Sequence, residues 1–230
     1  MFFDPMYLLF MLPGLALSMW ASFRTKSAFK KYSKVPSSRR LTGAQAARIM
    51  LDRQGLLDVK IGRSHGLLSD HYNPATRSLA LSQQVHDSTS IAAIGVATHE
   101  AGHAVQHAAN YSPLWVRSAL VPTANIGSSI GYFVMMIGLF MASQNMVMIG
   151  AVLFSAVLLF QIVTLPVEFD ATARAKQLVV EDGIISANER AGMDRVLNAA
   201  ALTYVAAAVS SLLTLLYFLM RAGLLGGSDD

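Results

Sequence analysis

The stretch Thr98-His99-Glu100-Ala101-Gly102-His103-Ala104 places two imidazoles and a carboxylate in a His-Glu-x-x-His spacing within a segment that reads as helix. Histidines at i and i+4 project from one helix face, one turn apart, so their nitrogens can converge on a single ion. The glutamate between them then sits beside the open position of that ion, placed to take a proton from a metal-bound water. The chemistry this predicts is metal-assisted hydrolysis, with His99 and His103 as metal ligands and Glu100 as general base. As an ordinary packing helix, the segment would bury a glutamate between two histidines with no ion to compensate, which disfavours that reading.

A catalytic zinc usually has three protein ligands and one open position. The chain contains no cysteine, so a zinc site here must use nitrogen and oxygen ligands, and disulfides are excluded. His107 continues the stripe of His99 and His103, but on a straight helix it lies about 12 Å from His99, too far to share one ion. It reads as a structural histidine. His65, His71, His86 and Asp70 precede the helix and could reach back to it. Glu168 is the preferred third ligand, because an apolar hairpin after the motif returns the chain there to the same membrane depth. Asp170 is expected either to accept a hydrogen bond from a ligating histidine or to hold Arg174. His71, Tyr72 and His65 are candidate donors to a tetrahedral oxyanion.

The elements that must position these groups follow from composition. Of 230 residues, 53% are hydrophobic and only 14% charged, which points to an integral membrane protein. Four apolar segments approach the roughly 20 residues needed to span a bilayer. They run from about Met6 to Phe23, Leu120 to Ala142, Met146 to Val167 and Ala199 to Met220. Basic residues crowd after the first, from Arg24 to Arg40, and lie between the third and fourth at Arg174, Lys176, Arg190 and Arg195. The positive-inside rule therefore predicts residues 24–117 and 168–198 as cytoplasmic, with both termini outside. The net charge of +4 follows this topogenic distribution, so nucleic acid is not an expected partner. Met1–Pro5 lacks a basic n-region, so the first segment reads as a retained anchor.

Between the spans, residues 24–40 read as a basic, Ser-rich lipid-facing strip. Thr42 is placed to cap a short amphipathic helix with Ala46, Ala47, Ile49 and Met50 on its apolar side, stopped by Gly55. Val59 to Ser82 alternates in strand fashion about a turn at Asn73-Pro74, predicting a small antiparallel ribbon whose free edge could hold an extended peptide. Asp87 or Ser88 offers an N-cap for the motif helix and Ser112-Pro113 a stop, while Gly102 permits close approach of another backbone or a substrate. Pro166 is expected to kink or end the third span. Helical spacing resumes from Phe169 to Val180, and a Ser186/Glu189 capping box starts a helix that runs into the fourth span.

Three separated motifs carry a family resemblance: Leu68-Ser69-Asp70-His71-Tyr72-Asn73-Pro74, Ala97 through Gln106, and Leu165-Pro166-Val167-Glu168-Phe169-Asp170-Ala171. With Leu41-Thr42-Gly43 and the four-span layout, they make the whole chain resemble the YugP-like neutral zinc metallopeptidases of bacterial membranes. The resemblance implies a zinc metallopeptidase bound to the bacterial inner membrane and surrounded by the lipid bilayer, with one Zn2+ per chain, His99 and His103 as ligands, Glu100 catalytic and protein or peptide substrates. The lysine and arginine distribution puts the expected site on the cytoplasmic side. The family is similar to gluzincin-type membrane proteases, in which an aspartate four residues after the ligand glutamate supports a histidine. Here that position is Thr172, and the nearby acid is Asp170.

The expected fold is a mostly α membrane protein in one domain, residues 1–230. Four transmembrane helices would carry a small zincin-like cytoplasmic α+β portion bearing the His-Glu-x-x-His helix. Two further functional readings are an intramembrane metalloprotease with the motif inside a span, and a non-catalytic zinc-binding membrane scaffold or chaperone partner. A metal transporter is disfavoured, since the predicted span cores carry no acid or histidine. Substrate identity and oligomeric state are not legible.

Overall fold

Long apolar runs without a helix-stopping cluster produce four helices of 28 residues or more, or nearly continuous helical stretches of that length, in the computed structural model, which describes residues 5–66 and 69–225. Met1–Asp4, within the stretch read as lacking a basic n-region, and Leu68 of the first family motif lie outside the described residues. The elements in chain order are α1 (Pro5–Tyr32), α2 (Gly43–Arg53), β1 (Lys60–Ser64), β2 (His71–Asn73), β3 (Ser78–Ser82), α3 (Gln83–His86) and α4 (Ile91–Ala108). There follow α5 (Ser112–Ile126), a π-helical segment Gly127–Gly131, α6 (Tyr132–Phe140), α7 (Gln144–Glu181) and α8 (Ala187–Arg221). Four stretches are long and apolar enough to cross a membrane: α1, Ser112–Phe140, α7 and α8. They fit an integral membrane protein. The motif helix α4 is not among them.

The chain forms two units. One comprises the residues up to Ala21, Trp115–Pro166 and those from Thr203 on. Its helices meet where glycines remove side chains. A Cβ on Gly127 would lie 2.3 Å from the Leu153 carbonyl oxygen, and one on Gly150 2.6 Å from the Met135 nitrogen. Backbones of the two arms of the hairpin thus touch directly, the geometry favoured between helices in lipid. Tyr217, Phe218 and Met135 fill the centre of this unit.

The other unit, Ser22–Leu114 with Val167–Leu202, carries the chemistry. α4 forms its axis: Ile91, Ile94, Ala97, Ala101 and Ala104 are buried against Ala47, Met50 and Leu51 of α2, Leu79 and Leu81 of β3, Ala175 and Val179 of α7, and Met193 and Leu197 of α8. Thr42 and Gln45 close a reciprocal capping box on α2, and Gly55, at φ +73°, ends it as expected. Ser186 and Glu189 start α8, with the Glu189 carboxylate accepting from the Ser186 nitrogen at 2.8 Å.

Several expectations are corrected. The predicted antiparallel ribbon is a three-stranded mixed sheet in the order β1-β3-β2. β2 and β3 form the antiparallel hairpin, whereas β1 pairs parallel to β3, with Ile61 opposite Leu79. Alternation identifies strands but not their direction, and Leu79 and Leu81 are buried because β3 is central. α1 continues to Tyr32, so half of the basic strip is helix. α7 passes through Pro166 to Glu181 without ending. A proline costs its helix one donor, and a long spanning helix tolerates that loss. Ser112-Pro113 opens α5 instead of merely closing α4. The cap of α4 is Ser90, not Asp87 or Ser88: its hydroxyl accepts from the Ala93 nitrogen at 3.2 Å.

Candidate metal centre

The site is built where α4 and α7 approach backbone to backbone. Gly102 lies between the two motif histidines, and a Cβ there would sit 2.7 Å from the Ala171 carbonyl oxygen of α7. The close approach expected of this glycine is therefore filled by a helix. On either side of Ala171, Glu168 faces both His99 and His103, and Thr172 faces His99. α4 itself is held at both ends. Ser90 caps its start, and at its end Asn110, at φ +51°, closes a left-handed turn in which the Tyr111 nitrogen donates to Gln106 O and the Asn110 nitrogen to His107 O.

His99 Nε2 stands 3.2 Å and His103 Nε2 3.7 Å from the same oxygen, Glu168 Oε2. The two rings are nearly perpendicular, with centroids 4.9 Å apart. Ligand atoms around a tetrahedral zinc at its usual bond lengths stand about 3.3–3.6 Å from one another, and the two histidine–carboxylate distances of 3.2 and 3.7 Å lie close to that range. The three residues offer ligand atoms within 4.8 Å of one another and could hold a metal ion. Glu168 is 1% and His103 6% exposed. A carboxylate buried this deeply needs cationic or metal partners.

The remaining nitrogens are held from outside the group. Gln106 donates its amide to the Val167 carbonyl oxygen and to Asp170 Oδ2, both at 2.8 Å. Both partners are pure acceptors, so the amide nitrogen must face them and the amide oxygen must face His103 Nδ1, 2.9 Å away. His103 therefore carries its proton on Nδ1, which leaves the Nε2 lone pair directed at the centre. Asp170 also accepts from Arg174 Nε at 2.6 Å, and the Arg174 guanidinium lies over the Tyr111 ring. Of the two roles weighed for Asp170, the one seen is to hold Arg174; its other contact is with Gln106, which stands between it and His103. His99 Nδ1 lies 3.2 Å from Thr172 Oγ1, the hydroxyl four residues after Glu168. Burial pushes the His103 pKa down, but the bond to Glu168, the charges of Glu100 and Glu168 and the bond to Gln106 outweigh it and hold it above the usual histidine value.

Glu100 follows His99 on α4, partly buried, with its charge acting on His103. Tyr72 on β2 bonds through its hydroxyl to His107 Nδ1 at 2.8 Å, which accounts for His107 as a structural histidine. His71 is exposed and donates from Nδ1 to the Ser69 carbonyl oxygen, while His65 is exposed beyond β1. Asp70 accepts from the Ser82 nitrogen and hydroxyl, and His86 pairs with Asp87. Among the described residues, none of these joins the His99–His103–Glu168 group. Gln106 escaped the sequence reading, and Thr172 entered it only as a departure from a family pattern, without its contact to His99. Each left a spacing signal: Gln106 is i+3 from His103, and Thr172 is i+4 from Glu168.

Two imidazoles and one carboxylate, with no thiolate in the chain, form a donor set suited to zinc. A family profile described as "Putative neutral zinc metallopeptidase" matches residues 7–223. The "Putative membrane protease YugP" of Bacillus subtilis (strain 168) is 46% identical over 225 residues, covering 98% of this chain and 99% of that protein. No solved structure matches the chain.

Proposed function

The chain belongs to the neutral zinc metallopeptidase family, and from that premise and the geometry of the centre we propose that it is a membrane-embedded zinc endopeptidase. His99, His103 and Glu168 would hold one zinc ion, which when bound would supply Lewis-acid polarisation of a scissile carbonyl and a lowered pKa for water. Glu100 takes the proton of the attacking water and delivers it to the leaving amine. Its place one residue after His99, on the helix that presents both imidazoles, supports this role. Gln106 and Thr172 orient the imidazoles, and Asp170 orients Gln106.

β2 is an edge strand tied to α4 through the Tyr72–His107 bond. An extended peptide pairing with that edge would run alongside the motif helix. Of the three oxyanion candidates, Tyr72 is favoured, because its hydroxyl reaches α4, whereas His71 is bonded to its own loop and His65 is exposed. The distribution of lysine and arginine supports a site on the cytoplasmic side of a bacterial inner membrane. An intramembrane protease would carry its motif in a span, and α4 is not one of the four candidates.

The observation that carries the reading is the convergence of His99, His103 and Glu168 with the outer nitrogens of both histidines already engaged. The experiment is cleavage of casein and of an unfolded membrane protein by purified protein, with and without chelator, for the parent and Glu100→Gln. The variant keeps its zinc and loses nearly all cleavage. Cleavage at the parental rate by Glu100→Gln, or in excess chelator, overturns the proposal.

A further inference from the structure

A second site lies away from the metal centre, in a cleft of about 200 Å³ between the polar end of α1 and the first half of α8. Its walls bring together three cations, Arg24 and Lys31 of α1 and, from far along the chain, Arg195 of α8. Arg24, Ser27 and Lys31 fall on one helical stripe at i, i+3 and i+7, so they face the cleft together. None of the residues described along its walls is acidic. The nearest carboxylate in sequence, Asp194, lies 3.6 Å from Lys176 and 3.8 Å from Arg190, and Glu189 accepts from Ser38 and Ser186.

The cleft has a fixed shape. Thr25 Oγ1 donates to the Ala199 carbonyl oxygen at 2.8 Å, and a Cβ on Gly192 would lie 2.8 Å from Tyr32 Cε1, so the two helices are clamped on either side of it. It also sits where the apolar runs of both helices stop. Phe23, the last apolar residue of the first predicted span, is 72% exposed on its rim, and Ala199, the first of the fourth, lies in its wall. Cations and hydroxyls on one side of such a boundary, with an exposed aromatic ring on the other, match the two halves of a phospholipid.

We propose that this cleft between α1 and α8 binds the phosphate headgroup of an anionic phospholipid through Arg24, Lys31 and Arg195, with the start of an acyl chain against the exposed ring of Phe23. The boundary position favours a lipid over free phosphate, which would gain nothing from Phe23. This assignment is independent of the zinc centre.

The test is native mass spectrometry of the purified full-length protein with added dioleoylphosphatidylglycerol, dioleoylphosphatidylcholine or inorganic phosphate. The parent retains phosphatidylglycerol in preference to phosphatidylcholine. Lys31→Gln and Arg195→Gln each weaken that binding about fivefold and the double variant about 25-fold, the loss expected for one and two interfacial cations. Lys34→Gln, in the same basic strip but outside the cleft, leaves it unchanged. Arg195→Lys retains binding within about twofold, which separates lost charge from lost fold. Zinc content stays at the parental level in all of them. Equal retention of phosphatidylcholine, an equal loss in Lys34→Gln, or displacement of the lipid by millimolar inorganic phosphate overturns the proposal.

Discussion

Replacing Gln106 with leucine isolates the device that sets the imidazole of His103. The residue is fully buried, and its amide makes three contacts of 2.8, 2.8 and 2.9 Å, to Val167, Asp170 and His103. Leucine has nearly the same volume and removes all three. The His103 Nδ1 proton then loses its partner in a site largely closed to water, while Asp170 Oδ2 keeps Arg174 Nε and the Val167 carbonyl lies within a helix. The loss of stability is therefore that of one orphaned group, about 1–3 kcal/mol. The larger effect is on the metal, because His103 is free to carry its proton on Nε2, where it opposes coordination. Zinc affinity is expected to fall about 10–100-fold, as when a metal-bound histidine loses its outer partner. Competition against a chromogenic chelator at pH 7.5 measures this directly, with thermal melting in excess zinc reporting the fold. A folded Gln106→Leu protein that binds zinc within about twofold of the parent would refute the reasoning.

Gly102→Ala places a Cβ 2.7 Å from the Ala171 carbonyl oxygen, so α7 must move away from α4; a loss of about 1–3 kcal/mol is expected in thermal melts, together with reduced zinc content. Thr172→Val removes the partner of His99 Nδ1, but His99 is only partly buried and water can substitute, so zinc affinity should fall by less than in Gln106→Leu. The raised His103 pKa stabilises the zinc-free protein below the ordinary histidine value, and that contribution fades as pH rises through the higher folded value. Protons therefore compete with the metal on the acid side, and zinc affinity should drop steeply from pH 7.5 to 5.5 while the melting temperature of the zinc-free form rises.

The centre was legible where local spacing and global topology constrain the same residue. His99 and His103 follow from helical periodicity. Glu168 follows from lysine and arginine asymmetry and the length of an apolar hairpin, and Gly102 from the absence of a side chain beside a metal motif. Choices settled by tertiary contacts were not legible. Asp87, Ser88, Thr89 and Ser90 are all chemically able to cap α4. Ser90 takes the role because the Ile91 nitrogen donates to the Val35 carbonyl oxygen and Pro36 bridges Ser90, contacts from a segment more than fifty residues earlier. The direction of β1 follows from β2 lying on the far side of β3, and period-two alternation is blind to it. Gln106 read as one polar residue near a helix end. Its role needs the Val167 carbonyl and Asp170 of another helix to turn its amide, and these become neighbours only once α7 has docked against Gly102.

Zinc K-edge absorption of the purified protein, parent beside Glu168→Gln, tests the proposed centre most directly. The account predicts one zinc per chain in a four-coordinate shell of two imidazoles and oxygen ligands, with zinc content or the oxygen shell lost in the variant. A shell of three imidazoles, or a spectrum and zinc content that Glu168→Gln leaves unchanged, would contradict it.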